Sequence, residues 1–206
     1  MITFERKLWH QGYQYIAGVD EAGRGPLAGP VVAAAVVFPQ NQREQYGITD
    51  SKMLSEKKRL ALIPIIWQHA LDIGIGIVYH DEIDQIGILN ATYRAMSMAV
   101  VNLSFVPHYV LVDGMGTPKL SIPCDPIVKG DRKSLSIAAA SIIAKVTRDD
   151  LMSRYHQCYP EYNFIQHKGY PTPGHVNAIR QHGLSPIHRR SFHPKALNQM
   201  SHAQVN

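Results

Sequence analysis

The chain has 206 residues, 45% hydrophobic and 18% charged, which gives room for one domain with a sizeable core and lies outside the disordered class. Its longest wholly apolar run is eight residues, 31–38, against the roughly 18–20 that a membrane span needs. Cys124 and Cys158 make neither a CxxC pair nor a disulfide framework, and residues 1–11 lack an apolar signal-type segment, so the expected setting is the cytoplasm. The net charge of +5 is unevenly spread: residues 1–161 carry 16 basic and 16 acidic side chains, whereas residues 162–206 carry five basic, no acidic and six of the eleven histidines. That last stretch is expected to attract a polyanion.

In chain order, residues 15–19 read as a short apolar strand ending at Asp20-Glu21. A connection rich in Gly23, Gly25, Pro26, Gly29 and Pro30 leads to a second strand at 31–38. Ser55 is the expected N-cap of a helix running towards Asp72, which Pro64 should kink or shorten. Residues 73–79 give a third strand, Asp81 caps a longer amphipathic helix to about Asn102, and residues 109–112 give a fourth strand ending at Asp113. Residues 134–155 are helical and too rich in Ala and Ile for a surface helix. Pro171 and Pro173 introduce a last short helix near 174–181. The pattern predicts a single α/β domain around a mixed sheet, with its core at about 12–195 and a loosely held tail from about 196.

Chemistry concentrates in carboxylates. Asp20-Glu21 and Asp113 each follow an apolar strand, and strand ends in α/β sheets open onto crevices beside a rigid support. Asp149 follows Ala138, Ile142 and Val146 at helical spacing, so it shares their inward face. An unpartnered charge there costs several kcal/mol. Its neighbour Asp150 has Arg154 at i+4, a favourable surface pair, so Asp149 is the carboxylate that needs another explanation. Carboxylates that converge repel one another, and a hard divalent cation such as Mg²⁺ or Mn²⁺ relieves the repulsion. No His/Cys set has the spacing of a zinc site. Two such ions can activate a water and stabilise the leaving oxygen in phosphodiester hydrolysis. Gly23-Arg24-Gly25 directly follows the acidic pair; it is neither GxGxxG nor GK[ST], which excludes the dinucleotide and P-loop readings. A non-catalytic nucleic-acid-binding module would explain the basic last quarter but leaves the carboxylates without a role.

The run Gly18-Val19-Asp20-Glu21-Ala22-Gly23-Arg24-Gly25-Pro26-Leu27-Ala28-Gly29 closely resembles the N-terminal signature of the bacterial ribonuclease HII family, the type 2 ribonucleases H. Further matches follow in the family's order: Asp50-Ser51-Lys52, Val112-Asp113-Gly114, Lys129-Gly130-Asp131, the helix segment closing on Arg148-Asp149, His167-Lys168-Gly169-Tyr170 and His188-Arg189-Arg190-Ser191-Phe192. Thr49 departs from the pattern, which has Asn there.

The resemblance implies a ribonuclease H-like fold, a mixed five-stranded sheet flanked by helices with a helical C-terminal part. It implies catalytic and metal-binding carboxylates at Asp20, Glu21, Asp113 and Asp149, working with two Mn²⁺ or Mg²⁺ ions. The implied substrates are RNA/DNA hybrids and duplex DNA with embedded ribonucleotides, cut 5′ of the ribonucleotide to leave 3′-hydroxyl and 5′-phosphate ends. Gly23, Arg24 and Gly25 would read the 2′-hydroxyl, the group that tells RNA from DNA. Tyr170 would stack on the following deoxy sugar. Lys52, Lys129 and Lys168 are candidates for phosphate contacts, as are His167, His175 and His188. Arg189 and Arg190 are expected either to cover the basic face or simply to be exposed. A monomer is expected, since no apolar stripe is left over.

Overall fold

The computed structural model describes residues 1–40, 42 and 45–192. Five strands form one mixed sheet in the order β3-β2-β1-β4-β5. They are β1 (Ile16–Ala22), β2 (Val31–Val37), β3 (Asp72–Val78), β4 (Tyr109–Asp113) and β5 (Cys124–Ile127). β1 pairs antiparallel with β2 and parallel with β4, so it is central. Every residue of β2 is buried, because both sheet faces are covered, and this accounts for its continuous Val/Ala run. On one face α4 (Ile88–Val101) packs its Ala91, Ala95 and Ala99 onto Ala17, Val19, Ala33 and Ala35. On the other, α5 (Leu135–Cys158) and α2 (Glu56–His69) cover Ala34 and Val36. Both strands of the β1–β4 pair obey a period of two, which fixes what each side chain faces.

The centre of α5 is built from small residues (Ala138, Ala139, Ala140, Ser141, Ala144), and it lies close against β1. Gly18 is required for this approach: a Cβ there would meet the backbone of Ser136 and Ile137. The α5 N-terminus is closed by Ser134, whose hydroxyl accepts from the Ile137 N–H. The same hydroxyl donates at 2.6 Å to the buried carboxylate of Glu5, which also accepts from the Ser136 N–H. Glu5 sits on α1 (Thr3–His10), a helix that sequence periodicity does not announce; it adds Ile2 and Leu8 to the interior, so packing begins well before residue 12.

Several expectations hold in outline and change in detail. Ser55 caps α2, which runs through Pro64 and ends at His69. The helix expected from Asp81 to Asn102 is two, α3 (His80–Ile86) and α4, broken at Gly87 with φ +78°; Asp81 lies in the first turn of α3, whose N-cap is Tyr79. Asp20 and Glu21 belong to β1 itself. The C-terminal part holds α6 (Phe164–His167) and α7 (Pro173–His182). The expected loose tail, with Lys195, lies outside the described residues. Among the described residues, no helix is long and apolar enough to cross a membrane.

Candidate active site

The parallel register pairs Val19 with Val112, so one further step sets Asp20 beside Asp113 at the strand ends. Their neighbours Val19 and Val112 face α4, so the pleat turns both carboxylates towards α5 and Glu21 the opposite way. A third carboxylate joins them from a short 3₁₀ turn, Gly130–Arg132, that follows β5. Lys129 enters this turn in the left-handed region (φ +57°), the Gly130 N–H donates to Asp113 at 2.6 Å, and Asp131 swings into the group. One oxygen from each of Asp20, Asp113 and Asp131 lies within 4.8 Å of the others. Like charges about 4 Å apart repel by roughly 4 kcal/mol at an effective dielectric constant near 20.

The protonation behaviour follows from that crowding. Burial, then Glu21 and Asp113, hold the Asp20 carboxyl well above the usual range, although the Glu21 N–H and the Ser141 hydroxyl ease it. Burial and Asp113 raise Glu21 against the pull of Arg24, whose guanidinium stands 3.5 Å away. Burial, Asp113 and Asp50 raise Asp131. For Lys52, burial acts downward but Asp20, Asp131, Asp50 and Asp113 together outweigh it and raise its pKa. This lysine is the nearest thing the cluster has to a counter-ion, with Nζ 3.9 Å from Asp131. An all-oxygen donor set that is buried, crowded and short of internal positive charge suits a hard divalent cation.

Beside the cluster opens a cavity of about 540 Å³, walled by Glu21, Gly23, Arg24, Gly25, Lys52 and Tyr170. Tyr170 stands against Gly25, so its ring and the glycine turn form one wall. Gly23 has φ +100°, and a Cβ there would run into the Arg148 side chain. Two buried arginines hold this wall from behind. Arg148 donates to the carbonyls of Pro30, Ala28 and Lys168 at 2.9–3.1 Å. Arg189 donates to Gly29, Arg24 and Gly23 at 2.9, 3.0 and 2.6 Å. Burial pushes Arg148 down to about 10; burial and then the neighbouring Arg148 push Arg189 down to about 9, and both stay charged at neutral pH.

The structure rearranges the predicted set. It brings Asp20 and Asp113 together and leaves Glu21 on the cavity side of the strand, near enough to feel Asp113, but it does not bring Asp149 into the group. Asp149 lies one helical turn beyond Lys145, which pairs with it at 2.7 Å, and it faces Arg59 of α2 at 3.9 Å. It lines a neighbouring hollow of about 270 Å³. Arg59 in turn donates to the carbonyls of Ser51 and Leu54, so Asp149 braces the turn that carries Lys52. The Lys129 side chain is exposed and outside the cavity wall. The Lys168 ammonium donates to the Ser153 hydroxyl at 3.1 Å.

The basic surface expected at the C-terminal end is partly interior: Arg189, His167, His175 and His188 are buried, whereas Arg180 and Arg190 are exposed and Lys168 is half-buried. Their partners fix the histidine tautomers. The Ser185 N–H donates to Nδ1 of His188, so its Nε2–H donates to Nε2 of His175, and Nδ1–H of His175 donates to the Tyr170 carbonyl. The Gly169 N–H donates to Nδ1 of His167, whose Nε2–H meets the Tyr162 carbonyl. Burial pushes His175 and His188 down to about 4, helped by His167 at His175 and by His175 at His188. These rings are neutral struts beneath Tyr170 rather than phosphate ligands. Sequence reasoning also missed Asp131 as a carboxylate of the cluster, although it stands inside the Lys129-Gly130-Asp131 element.

A family model described as Ribonuclease HII matches residues 17–195. Ribonuclease HII of Clostridioides difficile (strain 630) is 56% identical over 189 residues, covering 92% of this chain and 74% of that protein. Ribonuclease HII of Syntrophus aciditrophicus (strain SB) is 53% identical over 206 residues, covering 100% and 97%. Among solved structures, the crystal structure of ribonuclease H2 from Pyrococcus horikoshii OT3 is similar with a TM-score of 0.76 at 29% identity, covering 90% of this chain and 96% of that one.

Proposed function

This chain belongs to the ribonuclease HII family and is a ribonuclease H, a hydrolase of RNA in RNA/DNA hybrids, and from that premise we propose that it also cuts 5′ of single ribonucleotides in duplex DNA by a two-metal route. The products would carry 3′-hydroxyl and 5′-phosphate ends, and the enzyme would act as a cytoplasmic monomer. The observation that carries this reading is the meeting of Asp20, Asp113 and Asp131 beside a cavity walled by Gly23, Arg24, Gly25 and Tyr170.

In this reading Asp20, Glu21, Asp113 and Asp131 hold Mg²⁺ or Mn²⁺, and Asp131 takes the place the sequence suggested for Asp149. Bound there, the ions would supply an activated water for attack at phosphorus and charge stabilisation for the departing 3′-oxygen. Asp149 supports the site at one remove, through Lys145 and Arg59. Lys52 offers its ammonium to the phosphate next to the scissile bond, while Lys129 and Lys168 meet the backbone further out, where contacts position the duplex without reading sequence. The amides around Gly23-Arg24-Gly25 meet the 2′-hydroxyl. Tyr170 lies flat on the next sugar, which fits only when that sugar lacks a 2′-hydroxyl.

The test uses a labelled DNA duplex with one ribonucleotide, an all-DNA duplex and an RNA/DNA hybrid, each in Mn²⁺, Mg²⁺ or EDTA. The expected result is a metal-dependent cut 5′ of the ribonucleotide with the all-DNA duplex untouched. Cleavage of the hybrid alone would remove the junction-reading role of the glycine turn and Tyr170.

A further inference from the structure

We infer that Arg189 is a positioning residue for 2′-hydroxyl recognition: its guanidinium turns the Gly23 and Arg24 carbonyls inward and so aims the Arg24 and Gly25 amides at the substrate. The inference rests on the reading of the glycine turn given above and adds the device that sets its geometry.

Two successive carbonyls, those of Gly23 and Arg24, accept from the two terminal nitrogens of one guanidinium at 2.6 and 3.0 Å. The third donor, Nε, reaches the Gly29 carbonyl at 2.9 Å, so a single planar fork clamps both ends of the loop. Across a trans peptide the N–H points opposite to the C=O. The amides that share those two peptides belong to Arg24 and Gly25, and they are driven away from Arg189. Arg189 is buried behind the loop, 1% exposed, whereas Gly23, Arg24 and Gly25 themselves line the cavity. Successive amides on one side of a loop form a concavity suited to an oxygen atom.

The usual reason for burying an arginine is a carboxylate partner, and here the three hydrogen bonds at the guanidinium all go to backbone carbonyls of residues 23–29. The arginine therefore controls loop orientation rather than charge balance. A lysine would keep the charge but has no planar fork, so it cannot hold three divergent carbonyls at once. Misplacing the amides by about 1 Å is expected to lower the chemical step by up to about a hundredfold.

The test compares the full-length protein with Arg189→Lys on two duplexes: one bearing a single ribonucleotide, the other a 2′-fluoro nucleotide at the same place. Fluorine keeps a ribose-like sugar pucker but is a poor hydrogen-bond acceptor. For Arg189→Lys the expected result is a kcat on the ribonucleotide duplex lowered about tenfold to a hundredfold, with KM changed by less than about threefold. The hydroxyl-to-fluoro rate ratio should narrow by a similar factor, a quantity from which any loss of active protein cancels. Equal losses on both duplexes, with the ratio unchanged, would overturn the positioning role. If the unmodified protein cuts both duplexes equally fast, it is the reading of the 2′-hydroxyl by the glycine turn that fails.

Should Arg189→Lys not fold, the unmodified protein is read by amide NMR in Ca²⁺, at a concentration first checked to bind duplex without cutting it. The Arg24 and Gly25 amides should shift on adding the ribonucleotide duplex and stay still with the 2′-fluoro duplex. Identical responses to both would mean that these amides do not meet the 2′-hydroxyl, so the reading of the glycine turn would fail and the inference with it.

Discussion

The carboxylates at the ends of β1 and β4 and the histidines beneath Tyr170 both lie in the interior, yet the histidines have a partner at each ring nitrogen, while the carboxylates keep a net repulsion despite Arg24, Lys52 and the Gly130 amide. His167, His175 and His188 each have a donor or acceptor at both ring nitrogens, and the chain of bonds ends on the Tyr170 carbonyl. Asp20, Glu21 and Asp131 all feel Asp113, and burial together with that shared neighbour raises all three pKa values. A buried polar network that closes on itself rigidifies what it touches. One that stays open is strained until something from outside completes it. The first kind shapes the wall of the cavity, and the second kind, in the function proposed above, performs the chemistry there.

The largest expected effect separates Asp131 from Asp149. Asp131→Asn should lower cleavage by about a thousandfold or more, since it removes an oxygen from the cluster itself. Asp149→Asn should cost only about tenfold, because the lost carboxylate acts through Lys145 and Arg59, and folded protein should bind duplex normally in both variants. Steady-state rates at saturating Mn²⁺ measure this. A reversal of the order would return Asp149 to the metal set and break the contrast between open and closed clusters.

How far the sequence spoke depended on whether the deciding contact was local. An apolar strand followed by a carboxylate is visible in the chain, so the pattern of residues alone assigns Asp20, Glu21 and Asp113 to a crevice. Helical spacing puts Asp149 on an inward face, and it is buried. Spacing cannot say whether the partner across that face is a carboxylate cluster or the guanidinium of Arg59. Asp131 depends on the left-handed backbone at Lys129, a conformation that a lysine does not advertise. Within the basic C-terminal stretch Arg189 misled for a related reason: charge counting assumes solvent. Arg189 is instead satisfied by carbonyls some 160 positions earlier in the chain. The unannounced α1 has the same origin, since packing settles it, whereas the break at Gly87 is local: a glycine takes φ +78° without strain.

Acid should sharpen the comparison further. His175 and His188 titrate near 4 in the folded chain, against 6.5 for a free histidine. Their contribution to stability is therefore complete above 6.5 and is lost as pH falls from about 6.5 to about 4. A proton on Nε2 of His175 also breaks its bond to His188, because both nitrogens would then be donors. One on Nδ1 of His188 breaks the bond from the Ser185 N–H for the same reason. The loss should amount to a few kcal/mol across the pair. His188→Asn should be less stable at neutral pH but should show a shallower acid limb in metal-free melts. Parallel limbs for the two proteins would mean that the rings are not held neutral.

The smallest effect tests the open cluster without any catalysis. Asp20, Glu21 and Asp131 have raised folded pKa values, so the sign is opposite to that of the histidines. Whatever stability protonation confers is full below the unfolded values, 3.8 for Asp and 4.5 for Glu, and is lost as pH rises through the raised ones. At neutral pH the metal-free protein carries that cost, and Asp20→Asn removes one member of the repelling set. Its metal-free melting temperature should rise by roughly 2–4 °C for each kcal/mol relieved. Adding Mn²⁺ should then stabilise Asp20→Asn less than the unmodified protein, because a ligand has gone along with the repulsion. Calorimetry with and without the ion measures both shifts together. A fall in the metal-free melting temperature would show that Asp20 is held by internal partners after all, and the cleft would then resemble the histidine flank.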